Sequence, residues 1–108
     1  MAYVHAAAHE NAFVALADPT RRRVFEKLSS GPKSVGEIAH GLPVSRPAVS
    51  QHLKVLKAAG LISERRQGTR RLYVANPQAL GELRAAIEEM WREALGGMAA
   101  RIDEELER

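Results

Sequence analysis

The segment from residue 45 to residue 71 carries the largest excess of positive charge in this 108-residue chain. It contains seven basic side chains and one acidic side chain, whereas residues 72–108 contain four basic and eight acidic ones. Guanidinium and ammonium groups at this density favour phosphate, because each donates charge-assisted hydrogen bonds to phosphate oxygens. At a net charge of only +3 for the chain, this asymmetry predicts a polyanion-binding segment beside one that stays off the polyanion.

A short helix is the first element that must position these cations. Ser45 can cap it, and Val49, Leu53 and Leu56 repeat at helical spacing. Gly60 ends the helix at a position that favours positive φ. If the apolar residues face inward, a small and polar face remains for contact with DNA. Its expected members are Ser45, Arg46, Pro47, Ser50, Gln51, His52 and Lys54.

The side chains on this face suit different parts of a DNA duplex. Arg46 matches the paired acceptors of guanine, and Gln51 can pair bidentately with adenine. Ser50 can approach either a base or a phosphate, and Lys54 suits the backbone. His52 lies between the inward and outward faces, so a partly buried structural role is the alternative to a phosphate contact.

A hairpin is the second element. Residues 61–66 and 70–74 are strand-like runs around a short loop, Gln67-Gly68-Thr69. Because side chains alternate along a strand, only about half of the hairpin's arginines can face DNA. For each arginine, the alternative is a solvated position on the surface without a DNA contact. The arginines expected to bind phosphate or enter the minor groove are Arg65, Arg66, Arg70 and Arg71.

Upstream of this segment, helices are predicted over residues 9–17 and from Pro19 to about Ser29, the second capped by Asp18. Residues 21–23 are arginines in the first turn of that second helix, where the helix dipole disfavours positive charge. We expect a nearby carboxylate or a partner's phosphate to compensate; a solvated basic face is the alternative.

A capping box, Ser34-x-x-Glu37, begins a third helix that extends to about His40. A tight Gly/Pro turn then leads to the helix that begins after Ser45. Residues 34–59 therefore form a helix-turn-helix, and residues 61–74 form its wing. The fold expected is a winged helix-turn-helix, mainly α with a small β-hairpin, in the order α-α-α-α-β-β-α.

The last helix is predicted over residues 77–106, and its apolar stripe is too long to be covered by one small domain. Such a patch predicts an interface, so we expect a homodimer through the terminal helices, 9–17 and 77–106; folding back onto its own domain is the alternative. Gly96-Gly97 predicts a bend or a close helix contact. The expected interface residues are Phe13, Leu83, Ile87, Met90, Trp91, Ala94, Met98 and Ile102.

Composition limits the remaining possibilities. The chain has no cysteine, and its length favours one domain over residues 1–108. It shows neither a signal-peptide pattern nor an apolar run of membrane-spanning length, so we expect a soluble, cytoplasmic protein without membrane contact. No catalytic constellation is identifiable, so an enzyme is not expected. A winged-helix protein-interaction module is the alternative to a DNA-binding protein, and the basic segment argues against it.

From Phe13 to about Leu106 the chain resembles the ArsR/SmtB family of bacterial winged-helix repressors. The resemblance is carried by LADPTRRRV, SVGEIA, AVSQHLKVLKAAGLI and RRQGTRRLY, in this order and with family-like spacing. It implies a homodimeric repressor that binds a palindromic operator and whose first and last helices form the dimer interface.

The chain departs from this family at its usual metal ligands. The segment SVGEIAHGL lacks the cysteine pair that many relatives use, and residues 77–108 contain no histidine. His5 and His9 have helical spacing, but two histidines rarely suffice for zinc, which takes three or four ligands. No cofactor and no metal site are therefore expected, and an effector ligand, if one exists, is unidentified.

Overall fold

The computed structural model describes the backbone of residues 2–107 and the side chains of residues 10–107. Within the described residues, five α-helices and one two-stranded antiparallel sheet follow one another in the expected order, which confirms the mainly helical winged helix-turn-helix class. The elements are α1 (Ala2–Ala17), α2 (Pro19–Lys27), a 3-10 turn (Leu28–Ser30), α3 (Val35–Ala39), α4 (Arg46–Ala58), β1 (Ile62–Gln67), β2 (Arg70–Ala75) and α5 (Pro77–Glu107).

Side-chain caps fix where four of these helices begin. The Asp18 carboxylate accepts from the Arg21 backbone N–H at 2.9 Å, and Ser45 Oγ accepts from Ala48 N–H at 3.3 Å. Asn76 Oδ1 caps α5 in the same way. At α3 the capping box is complete, because each partner's side chain accepts from the other's backbone N–H. These bonds satisfy donors that the first helical turn leaves free.

The hairpin is short and anchored on one side. Its strands pair from Ile62 opposite Ala75 to Gln67 opposite Arg70, so the loop has two residues rather than the three expected. Gly68, at φ +64°, supplies the positive φ of this turn. Tyr73 exchanges two backbone hydrogen bonds with Lys33, at 2.8 and 3.1 Å, which ties β2 to the segment before α3.

The core lies where α2, α3, α4 and the base of the hairpin meet. Its largest fully buried side chains are Val24, Ile38, Val49, Leu53, Leu56 and Leu61. Each contributes about 1.5–3 kcal/mol when removed from water. Because three of them lie on α4, the core fixes which face of that helix remains outward.

Two arginines at the start of α2, where the helix dipole disfavours positive charge, are stabilised by hydrogen bonds that the sequence did not indicate. Arg21 donates to the carbonyl groups of Ala15 and Val14, and Arg22 donates to that of Leu16 at 3.1 Å. These carbonyls end α1, where the helix dipole is negative and acceptors are otherwise free. The carboxylate or partner phosphate expected for these two residues is therefore replaced by the C-terminus of the preceding helix.

Helix α5 extends far beyond the core. It has 31 residues, and of these only Leu83 is buried. The helix continues through Gly96-Gly97, where an added Cβ would meet no atom within 4 Å. Among the described residues of one chain, the close helix contact expected at these glycines is therefore absent. No described helix is both long and apolar enough to cross a membrane.

Candidate nucleic-acid interface

The outward face of α4 presents the expected polar side chains. Exposed residues at its leading end and along its outer face are Ser45, Arg46, Pro47, Ser50, Gln51 and Lys54. His52 is half-buried instead. The pKa of Asp18 is lowered chiefly by the hydrogen bond from the Arg21 backbone, and the charge of His52 lowers it further. The Asp18 carboxylate at the start of α2 therefore lies within electrostatic range of His52 on α4.

Arg46 is seated against α3. A Cβ atom built on Gly36 would lie 3.0 Å from the Arg46 Nη2 atom and 3.3 Å from its Cζ. The absence of a side chain at Gly36 therefore gives the guanidinium its position at the junction of the two helices. Arg46 is exposed, and its guanidinium lies beside Gly36 at the base of the outward face.

The register of the hairpin divides its four arginines between the two faces. Arg66 and Arg71 lie opposite one another, on the same face as Glu64 and Tyr73. Arg65 lies on the other face, as does Arg70, because cross-strand partners share a face and neighbours alternate. Each face thus carries two arginines.

Two of these arginines already have a carboxylate partner. Arg70 contacts Glu37, 33 positions away in sequence, and this contact ties the tip of the wing to α3. Hydrogen bonds from the backbone and side chain of Ser34 are the main cause of the lowered pKa of Glu37, and the charge of Arg70 adds to them. The sequence indicated only the capping role of Glu37.

Glu64 is the second carboxylate, and it bridges the wing and α4. Its Oε1 atom accepts from Lys57 Nζ at 2.5 Å, and its Oε2 atom lies 3.1 Å from Arg71 Nε. The hydrogen bond from Lys57 is the largest cause of the lowered pKa of Glu64. Arg65 and Arg66 form no ion pair with any of the described residues.

The two elements meet in a groove of about 260 Å³, which we call the helix–wing groove. Its lining residues are Ser50, Leu53, Lys54, Lys57, Glu64, Arg71 and Tyr73. Lys54 and Lys57 of α4 and Arg71 of the wing therefore adjoin on one surface, and the arrangement can neutralise phosphates beside a helix inserted into a DNA groove.

A separate apolar surface follows the outer length of α5. Trp91 is 62% exposed. Ile87, Met90, Met98 and Ile102 are exposed as well, as are Ala94 and the unanticipated Leu95 and Leu106. Two residues of the expected interface are not exposed on this surface. Leu83 is buried in the core of its own chain, and Phe13 is half-buried and packs against that core.

No metal-binding group is formed by the side chains from residue 10 to residue 107, where three or more histidine, cysteine, aspartate or glutamate residues nowhere come together. His40 is exposed on its own. His5 and His9 lie outside the described side chains, so their spacing stays a sequence observation.

The fold and this surface define a winged helix-turn-helix DNA-binding domain. Residues 18–64 match the family described as "Bacterial regulatory protein, arsR family". The chain is 54% identical over 96 residues to the HTH-type transcriptional regulator Rv2034 of Mycobacterium tuberculosis, covering 89% of this chain and 90% of the relative. It is 40% identical over 70 residues to the transcriptional repressor SdpR of Bacillus subtilis, covering 65% and 78%.

Solved structures are similar in the same way. An ArsR-like transcriptional regulator from Rhodococcus sp. RHA1 superposes with a TM-score of 0.79 at 32% identity, covering 87% of this chain and 89% of that one. A possible transcriptional regulator for arsenical resistance gives 0.68 at 42% identity, covering 82% and 93%. The chain belongs to the ArsR family and is a DNA-binding transcriptional regulator; the family consists of regulators, not enzymes.

Proposed function

We propose that the protein is a homodimeric repressor that binds a palindromic operator and does not use the family's cysteine metal site. The observation that carries this proposal is the helix–wing groove, which brings Lys54 and Lys57 of α4 beside Arg71 of the wing. Cations on two adjoining elements match the phosphates on either side of a DNA groove. The dimer would act in the cytoplasm by occupying a promoter.

The contacts divide between bases and backbone. Arg46 and Gln51, exposed at the leading part of α4, suit guanine and adenine edges in the major groove. Ser50, Lys54 and the wing arginines suit phosphates, and one face of the wing would reach the adjacent minor groove. Affinity then comes mainly from the cations, and sequence preference mainly from two side chains of α4.

A second copy of the chain is the partner that the exposed stripe of α5 fits. The stripe is apolar, extends from Ile87 to Ile102 and is continuous with the core at Leu83. A two-fold dimer buries such a stripe against itself and presents two copies of α4 to two half-sites. A thiolate metal sensor is not part of the proposal, because the chain contains no cysteine.

Selection from a random pool of DNA duplexes, with and without EDTA, tests the proposal directly. We expect recovered fragments to share one inverted repeat whose half-sites are about one helical turn apart, and EDTA to leave the sequence unchanged. Recovery of no shared sequence, together with no retention on heparin, would favour a protein-interaction module instead. Loss of binding in EDTA would show that DNA binding depends on a metal ion and would contradict the metal-independent part of the proposal.

Replacing Gln51 with alanine is expected to relax base preference at one position of each half-site. The lost bidentate pair is worth about 1–3 kcal/mol of discrimination against the wrong base, whereas the salt dependence of binding should stay unchanged. Binding to a set of single-base operator variants measures this. Ala58→Gly is the control, since Ala58 is exposed on the same helix beyond the expected contact residues; unchanged preference in Gln51→Ala would exclude a base contact.

Replacing Arg70 and Arg71 together with alanine is expected to weaken binding to all sequences. Each lost phosphate contact makes the slope of log K against log salt shallower by about 0.9. Glu37 would also lose its ion-pair partner and Glu64 one of its two partners, so that both carboxylates would repel the duplex more strongly. Arg84→Ala/Arg101→Ala, on α5, removes the same charge and is the control. Wild-type salt dependence in the wing variant would rule out the phosphate role.

A further inference from the structure

The helix–wing groove holds three cations around one carboxylate. Lys54 and Lys57 come from α4 and Arg71 from β2, while Glu64 comes from β1 and pairs with Lys57 and Arg71. Without Glu64, three like charges from two elements would adjoin with no anion among them. A negatively charged group in the groove therefore reduces the repulsion among these cations.

The carboxylate uses its two oxygens on two different elements. Oε1 accepts from Lys57 Nζ on α4, and Oε2 from Arg71 Nε on the wing, at 2.5 and 3.1 Å. A phosphate diester offers two unesterified oxygens that can be shared by two cations in the same manner. The Glu64 side chain is 27% exposed, and those of Lys57 and Arg71 are about half exposed, so an incoming anion can reach both cations.

We propose that the groove is a binding site for one phosphate of the DNA backbone and that Glu64 occupies this phosphate site as an internal counter-ion when DNA is absent. The inference rests on the proposed DNA-binding function, and it adds Lys57 and Glu64 to the residues that set affinity. Exposed ion pairs contribute little to stability because water screens them. A phosphate in the high field of a duplex can therefore displace the carboxylate.

Glu64 then acts as a competitor for phosphate. It holds Lys57 and Arg71 near their bound positions, but each binding event must exchange the carboxylate for the phosphate. Its expected effect is to lower affinity for every sequence equally, since phosphates carry no sequence information. Glu37 differs, because it is also fixed by the capping box at the start of α3.

The test compares Glu64→Gln with Glu88→Gln, which removes the same charge from α5. Affinity for a random-sequence duplex is measured between about 50 and 200 mM salt. Glu64→Gln is expected to bind about fivefold more tightly near 0.15 M salt and to steepen the slope of log K against log salt, because the phosphate no longer displaces a carboxylate that must then take up a salt cation. Lys57→Gln should change both quantities in the opposite direction, and Glu88→Gln should change neither.

Inorganic phosphate titrated into labelled protein gives a readout that does not depend on DNA. We expect backbone amide shifts to move at Arg71 and Tyr73, and to move further in Glu64→Gln than in Glu88→Gln. Weaker duplex binding by Glu64→Gln at an unchanged salt slope would overturn the proposal, because Glu64 would then only hold the wing in place. Identical behaviour of the two glutamine variants would also overturn it.

The two proposals fail in different ways. If the wild-type protein binds duplexes with the expected salt dependence and Glu64→Gln matches its control, the proposed phosphate site is wrong and the DNA-binding function stands. If the wild-type protein binds no duplex but inorganic phosphate changes the amide chemical shifts of the groove residues, the groove is an anion-binding site and the proposed function is wrong.

Discussion

Trp91→Glu is expected to convert the proposed dimer into monomers and to reduce operator affinity about 100-fold or more. Trp91 is 62% exposed in one chain, between Ile87 and the exposed apolar residues further along α5. In a two-fold interface the substitution introduces one carboxylate from each protomer into an apolar contact, where unpaired charge is strongly unfavourable. Each protomer would then bind a single half-site. Light scattering and operator titration measure the two effects.

Gln78→Glu is the matched control, because it adds the same carboxylate to α5 at an exposed position in the first turn. It should leave both the mass and the operator affinity at wild-type values. A wild-type protein that is monomeric at all concentrations used for DNA binding would contradict the proposed dimer. So would a Trp91→Glu variant of dimeric mass.

Leu56→Ala is expected to destabilise the fold by about 2–5 kcal/mol. Leu56 is completely buried on α4, in the cluster shared with α2, α3 and the base of the hairpin. Truncation removes three carbon atoms from that cluster and leaves a cavity that the surrounding helices fill only in part. Urea denaturation at one fixed protomer concentration measures the change, since a dimer's stability depends on concentration.

Val55→Ala, at the neighbouring position, is the control for this prediction. Val55 is 40% exposed, and alanine has the higher helix propensity, so we expect a change of about 0.5 kcal/mol or less. Equal destabilisation by the two variants would mean that α4 does not bury the face assigned to it. The outward face carrying Gln51 would then be wrong as well.

Local signals were enough to predict most of the fold. Asp18, Ser34, Ser45 and Asn76 all cap the helices expected of them, because a cap is decided by residues within four positions of one another. Gly60, at φ +77°, lies just beyond α4 as expected. The hairpin loop differed by one residue, because pairing of Gln67 with Arg70 depends on the strands and not on the loop alone.

Contacts between residues that are far apart in the sequence could not be predicted from such local signals. Arg70 and Glu37 are 33 positions apart, and the wing must fold against α3 before they meet. Glu64 likewise gains its partners only when β1 lies beside α4. The charge pattern therefore predicted which segment is basic but not which of its cations are neutralised within the chain. Leu83 was assigned to the outer stripe of α5 because periodicity does not show how far the core extends along a helix.

The salt dependence of wild-type binding to duplex DNA tests the central claim most directly. Neutralisation of phosphates by α4 and the wing of two protomers predicts a linear fall of log K with log salt, with a slope of about −3.6 or steeper, which corresponds to at least four phosphates. An affinity for duplex DNA that does not change with salt, or no binding at low salt, would contradict it.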